Sequence, residues 1–289
     1  MRSDQAGDPD GGDRAHESEG ERIELRLFLE GIRARYGYDL SGYAPASMRR
    51  RILNALAASG LGNLGELQHR VLHDPRFFAD VFERLTVRVS ELFRDPDFYR
   101  AFRELAIPLL RTYARLNVWV SGCATGEEAY SIAILLSEEG LYDRTQIYAT
   151  DVSPLAVEQA KQGIYPADQL ATFDENHRRA GGHQQLSDFY TAAYDRIAMH
   201  EPLRRNILFF QHDLVGDHVF AEMNVILCRN VLIYFGADLR DQVMRKLTQS
   251  LCRGGFLCLG TSEQLSRAAQ RSFTVLATSE RIYRHAVTT

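Results

Sequence analysis

The chain has 289 residues, 45% of them hydrophobic and 25% charged, and a formal net charge of −4. That length supports a substantial core, and the slightly acidic balance gives no reason to expect a nucleic-acid partner. Cys123, Cys228, Cys252 and Cys258 include no Cys-x-x-Cys pair, which argues against a cysteine metal site and suits a reducing cytoplasm, and no apolar run reaches membrane-spanning length.

Residues 1–20 are rich in Gly, Asp, Ser and Glu without an apolar stretch, and are expected to form a disordered tail rather than a signal peptide. Residues 21–94 read as a helical domain. Glu24 to Arg35 carries Leu25, Leu27, Phe28 and Ile32 at helical spacing and stops at Gly37; Ala46 to Ser59 carries Met48, Ile52, Leu53 and Leu56 and stops at Gly60. Leu64–His73 and Pro75–Leu85 complete a small bundle, and one long helix is expected from Pro96 to Leu116. In the second helix Arg49, Arg50 and Arg51 cannot all face a core, so a basic ridge turned to solvent or to a partner is expected.

From residue 95 to 289 strand and helix signals alternate, which predicts a mainly parallel, Rossmann-like sheet covered by helices. Strands are expected near 117–121, 146–150, 207–211, 224–228 and 256–261, and helices at 127–139, 154–162 and 238–252. Residues 164–206 stand apart as an insertion with short antiparallel strands, and Phe273 onward reads as a closing antiparallel hairpin, more typical of methyltransferases than of dehydrogenases.

The most informative stretch is Val118-Trp-Val-Ser-Gly-Cys-Ala-Thr-Gly-Glu-Glu, a strand that turns through small residues into a helix. Gly122, Ala124 and Gly126 let the backbone approach a ligand, and the free N–H groups of the helix face it. Tyr148-Ala-Thr-Asp151 ends the next strand with a carboxylate suited to ribose hydroxyls, although Asp151 also fits a turn leading to the Ser153-Pro154 helix start. Glu127 and Glu128 at the helix start would repel a pyrophosphate, unless they only complement the helix dipole. A cofactor with ribose, adenine and a cation suits them better, and S-adenosylmethionine has that composition. Further candidates end other strands or join the two parts: Arg229, Asn230 and Tyr234; Asp213; and Ser90 with Arg94. Each has a plain structural reading as a cap, turn or surface partner.

Taken in order, Ser90-Glu-Leu-Phe-Arg-Asp95, Ala124-Thr-Gly-Glu-Glu128, Ala149-Thr-Asp151, Cys228-Arg-Asn-Val-Leu-Ile-Tyr-Phe235 and Gly254-Gly-Phe-Leu-Cys-Leu-Gly-Thr-Ser-Glu263 resemble the chemotaxis receptor methyltransferases of the CheR family, from about Tyr36 to the C-terminus. The resemblance implies an N-terminal all-helical domain, a class I methyltransferase sheet and a small inserted β-subdomain. It implies methyl transfer from S-adenosylmethionine to glutamate side chains on cytoplasmic helices of chemoreceptors, leaving S-adenosylhomocysteine, with a receptor tail tethered at the β-subdomain in some members. It implies that Ser90, Arg94, Gly122, Ala124, Glu128, Asp151, Asp213, Leu214, Arg229 and Asn230 line the cofactor site, with Tyr234 near the methyl group. Arg88 is a further expected cofactor contact, and it and Asp213 stand where asparagine is common in the family.

A glutamate carboxylate, with an ordinary pKa of about 4.3, is already ionised near neutral pH and needs no general base. Arg94, helped by Tyr234, is the expected orienting group, and Arg49, Arg50 and Arg51 the expected docking surface for acidic receptor helices. Two rival readings are a non-catalytic S-adenosylmethionine or S-adenosylhomocysteine sensor and a methyltransferase for another substrate.

Overall fold

The structure, a computed structural model, describes residues 18–86 and 90–286. Most of the expected tail, and Arg88, therefore lie outside the described residues. The tail does not extend to residue 20, because Ser18 caps helix α1 (Glu19–Tyr36) by accepting from the Glu21 N–H at 3.1 Å. Gly37, at φ 87°, ends it. Helix α2 (Pro45–Ser59) has proline in its first turn, α3 (Leu64–His73) is capped by Asn63, and Asp74 both ends α3 and caps α4 (Pro75–Leu85). These four helices bury Phe28, Ile32, Ile52, Leu67, Val71 and Phe82 in a core of their own.

The single helix expected over 96–116 is two helices, α5 (Pro96–Leu105) and α6 (Ile107–Leu110), followed by a turn. Pro108 explains the break: it lacks an N–H and clashes with the preceding helical turn, so it is tolerated only in the first turn of α6.

Strand β1 (Leu116–Ser121) then leads into α7 (Glu127–Glu138), β2 (Thr145–Asp151) and α8 (Pro154–Gln162). The insertion follows as β3 (Ile164–Pro166), α9 (Leu170–Arg179), β4 (Tyr190–Ala193), β5 (Arg196–Met199) and α10 (Glu201–Arg204). It holds the expected antiparallel strands, in the order β3-β5-β4, together with α9, which the sequence reading does not contain. The chain ends with β6 (Ile207–Gln211), β7 (Met223–Cys228), α11 (Ala237–Ser250), β8 (Leu251–Leu259), β9 (Phe273–Ala277) and β10 (Ile282–His285).

The main sheet runs β6-β2-β1-β7-β8-β10-β9. Pairing is parallel from β6 to β8, and the closing hairpin is antiparallel. Because β2 lies on one side of β1 and β7 on the other, the carboxyl ends of these strands border the crevice where open α/β sheets place ligands. Helix α7 is buried almost all round, from Ala129 to Leu136, so its N-terminus is held fixed at that crevice.

Candidate cofactor and methyl-transfer site

The turn after β1 is shaped by contacts that forbid side chains. Gly122 has φ 71°, and a Cβ there would meet Val231 Cγ2 at 2.4 Å. The Cys123 N–H donates to the Thr150 carbonyl (2.8 Å), and the Ala124 N–H to Asp151 Oδ2 (2.9 Å). Phe93, Asp95, Ala124 and Asn230 are left-handed without being glycine, a cost of the kind that concentrates at working sites. Replacing Gly122 by alanine is expected to destabilise the fold by about 1–3 kcal/mol through overpacking and positive φ. Chemical denaturation checks this, and an unchanged midpoint refutes it.

Asp151 is both the turn residue and the cleft residue that its sequence context allows. Its Oδ1 accepts from the Ser153 N–H and its Oδ2 from the Ala124 N–H, each at 2.9 Å, while the side chain lines the cleft. Burial pushes its carboxyl up, and these backbone donors pull it only part of the way back. The two glutamates of α7 diverge. Glu127 is buried and accepts from the hydroxyls of Thr125 (2.9 and 2.7 Å) and Ser90. Glu128 lines the cleft, so one carboxylate at the helix start is directed to the place where a ligand would sit.

Arg229 is buried among partners. Its guanidinium donates to Glu128 Oε1 (2.6 Å), Asp95 Oδ2 (3.0 Å) and the Arg94 carbonyl (3.1 Å), and lies 4.2 Å from the centre of the Phe98 ring. It joins the loop carrying Ser90 and Arg94 to α7. Asn230 is held by Glu263, which sequence reading did not single out: its carboxylate accepts from the N–H groups of Asn230 (3.0 Å), Ile233 (3.2 Å) and Gly260 (2.6 Å). The sequence signal was a lone acidic residue just past an apolar strand.

At the other end, the Val215 N–H donates to Asp213 Oδ1 (2.8 Å), and burial pushes the Asp213 carboxyl up. Lys246, also missed, donates to the carbonyls of Leu214 (3.2 Å), Val215 (2.6 Å) and Asp217 (2.8 Å), fixing the loop that presents Asp213 and Leu214.

The expected basic ridge does not exist as such. Arg51 points inward, donates to the Leu85 carbonyl (2.7 Å) and sits 4.5 Å over the Tyr234 ring at the cleft. Arg49 is half-buried against Glu21 (2.7 Å), and Arg50 is exposed. Consecutive helical residues are about 100° apart around the axis, so three in a row point three ways. The segment before α2 also reaches the cleft: the Ala44 N–H donates to the Tyr234 carbonyl (2.9 Å) and the Gly236 N–H to the Gly42 carbonyl (2.8 Å).

Ser90, Arg94, Gly122, Ala124, Glu128, Asp151, Asp213, Leu214, Arg229, Asn230 and Tyr234 thus line one cleft of about 920 Å³, solvent-open space included. Its donor set fits S-adenosylmethionine: Asp151 can accept from a ribose, Glu128 complements a cation where a pyrophosphate would be repelled, and Leu214 and Val231 supply apolar wall.

Residues 88–282 match the family model described as CheR methyltransferase, SAM binding domain, and residues 23–86 match CheR methyltransferase, all-alpha domain. The chain is 47% identical to the putative methyltransferase Cher3 of Pseudomonas putida, over 91% of this chain and 96% of that one. It is 31% identical to a chemotaxis protein methyltransferase of Listeria innocua, over 86% and 93%. An uncharacterized 104.1 kDa protein of Rhodobacter capsulatus is 32% identical over 83% of this chain, which spans 25% of that longer protein. The chain belongs to the CheR methyltransferase family and carries its S-adenosylmethionine-binding and all-α domains.

Proposed function

We propose that the protein transfers the methyl group of S-adenosylmethionine to glutamate side chains on cytoplasmic helices of chemoreceptors, forming methyl esters. Relatives named as chemotaxis protein methyltransferases support the receptor as substrate. The observation that carries the carboxylate is the cleft lining itself, where Arg51, Arg94 and the Tyr234 hydroxyl supply groups complementary to an anionic acceptor.

When bound, the cofactor supplies an electrophilic methyl group on a sulfonium. Asp151 would hold the ribose, Glu128 the α-ammonium, and Asp213 with Leu214 the adenine side. Arg94 orients the incoming carboxylate in line with the methyl group, and Tyr234, fixed by Arg51 and the Gly42–Ala44 segment, donates beside it. No base is required, since the acceptor is ionised, and catalysis rests on alignment of carboxylate and methyl group. Residues 21–94 and 95–289 are the two working units, and the edge of the 164–206 insertion is where a receptor tail would add a strand. Of the three arginines of α2, Arg50 and Arg49 remain to meet a receptor helix.

Incubation with tritiated S-adenosylmethionine and a receptor cytoplasmic fragment tests this. Label released as methanol by mild base, and absent when the acceptor glutamates are alanine, is the expected result. Arg94→Met is expected to slow transfer about 10²-fold while S-adenosylhomocysteine still binds. Base-stable label, or full transfer by Arg94→Met, overturns the reading.

A further inference from the structure

The helical unit sends Tyr43 into the cleft, on the backbone segment bonded to Tyr234 and Gly236. Its ring meets Phe235 edge-on at 5.0 Å, which fixes its direction. Among the described residues its hydroxyl has no hydrogen-bond partner, and Tyr43 lines the same cleft as Asp151 and Asp213. Burial and these two carboxylates keep the hydroxyl protonated, with Arg51 opposing them, so it is a standing donor.

A ribose that gives hydroxyl protons to Asp151 still offers oxygen lone pairs, and a donor in the same cleft lining can complete its hydrogen bonding. We propose that Tyr43 is a cofactor-contacting residue, its hydroxyl donating to the ribose that Asp151 accepts from. The assignment rests on the cofactor reading of the cleft. It makes the all-α domain a contributor to cofactor affinity as well as to receptor docking.

Titration calorimetry with S-adenosylhomocysteine and its 2′-deoxy and 3′-deoxy counterparts, on the full chain, tests it. Tyr43→Phe keeps the ring contact with Phe235, and an unchanged melting temperature verifies that the fold is intact. S-adenosylhomocysteine is expected to bind Tyr43→Phe roughly three- to ten-fold more weakly, the range of one neutral hydrogen bond. For the counterpart lacking the accepting hydroxyl, the variant and the wild type are expected to bind equally. Wild-type affinity in Tyr43→Phe, or the same loss for all three ligands, overturns the assignment of Tyr43 alone. If the wild type does not bind S-adenosylhomocysteine, the cofactor reading falls and the assignment with it.

Discussion

Arg229→Met is expected to cost about 3–5 kcal/mol of folding stability, the usual result of stranding a buried ionic partner. Two carboxylates depend on this guanidinium, Glu128 at 2.6 Å and Asp95 at 3.0 Å, and the Arg229 side chain is only 2% exposed. Burial by itself would lower the Arg229 pKa; the carboxylates of Glu128 and Asp95 override it and raise the net value. The pairing is therefore strong enough to hold the charge inside. Glu128 nevertheless titrates above its ordinary value, because burial outweighs Arg229 at that partner. With methionine in place of Arg229, Glu128 is expected to take up a proton, and the loop of Arg94 loses its tie to α7. The expected readout is a melting temperature lower by roughly 10 °C and the loss of S-adenosylhomocysteine binding. A variant that melts with the wild type would show the cluster to be energetically neutral.

Glu138→Gln is expected to remove a large pH-dependent contribution to stability. The Glu138 carboxylate is shielded from solvent and accepts from the Arg103 guanidinium, the backbone N–H of His183 (2.8 Å) and that of Gln184 (3.0 Å), with the His177 ring at 3.1 Å. Burial pushes its pKa up, but the bonds to His177, Gln184 and Arg103 override it and hold the carboxyl at about 2. A folded-state value below the ordinary glutamate value means that the contribution is present above the ordinary value and is lost as pH falls from there toward about 2. Its size is up to about 3 kcal/mol. The cleft carboxyls Asp151, Glu128 and Asp213, and the buried Glu127 beside them, have raised values and act in the opposite sense, their contribution disappearing as pH rises through them. The comparison with Glu138→Gln removes them from the result. The gap in unfolding free energy between wild type and variant should close as pH falls from about 6 to about 2; a constant gap refutes the assignment.

Strand and helix alternation, the glycine stops at Gly37 and Gly60, the small-residue turn and the terminal hairpin were all legible, because each is a local signal. What escaped depended on distant partners or on competition between local rules. Helical periodicity ran through 96–116, but one proline broke it. Arg51 looked like surface charge, but its place is set by Leu85 and Tyr234, the second 183 positions away in sequence. Glu263 and Lys246 are ordinary charged residues until the fold brings 30 or so intervening positions around to give them backbone partners. Asp151 is the instructive case. The turn and ribose readings competed on paper, yet its two oxygens are tied to backbone while the side chain borders the cleft, so one arrangement holds both.

The seam between the helical unit and the sheet bears on how the two could be exchanged among relatives. Gly42 and Ala44 meet Tyr234 and Gly236 through backbone groups, but the join still needs glycine at position 42, where a Cβ would meet Leu239 Cδ2 at 2.8 Å. Other stitches depend on side chains outright: Tyr43 on Phe235, Arg51 on Tyr234, Ser153 to Glu83 at 2.5 Å, and Gln211 to Tyr38 at 2.8 Å. A chimera built at this boundary keeps its docking angle only if Gly42 is retained against Leu239, and keeps its cleft only if those side-chain pairs travel together.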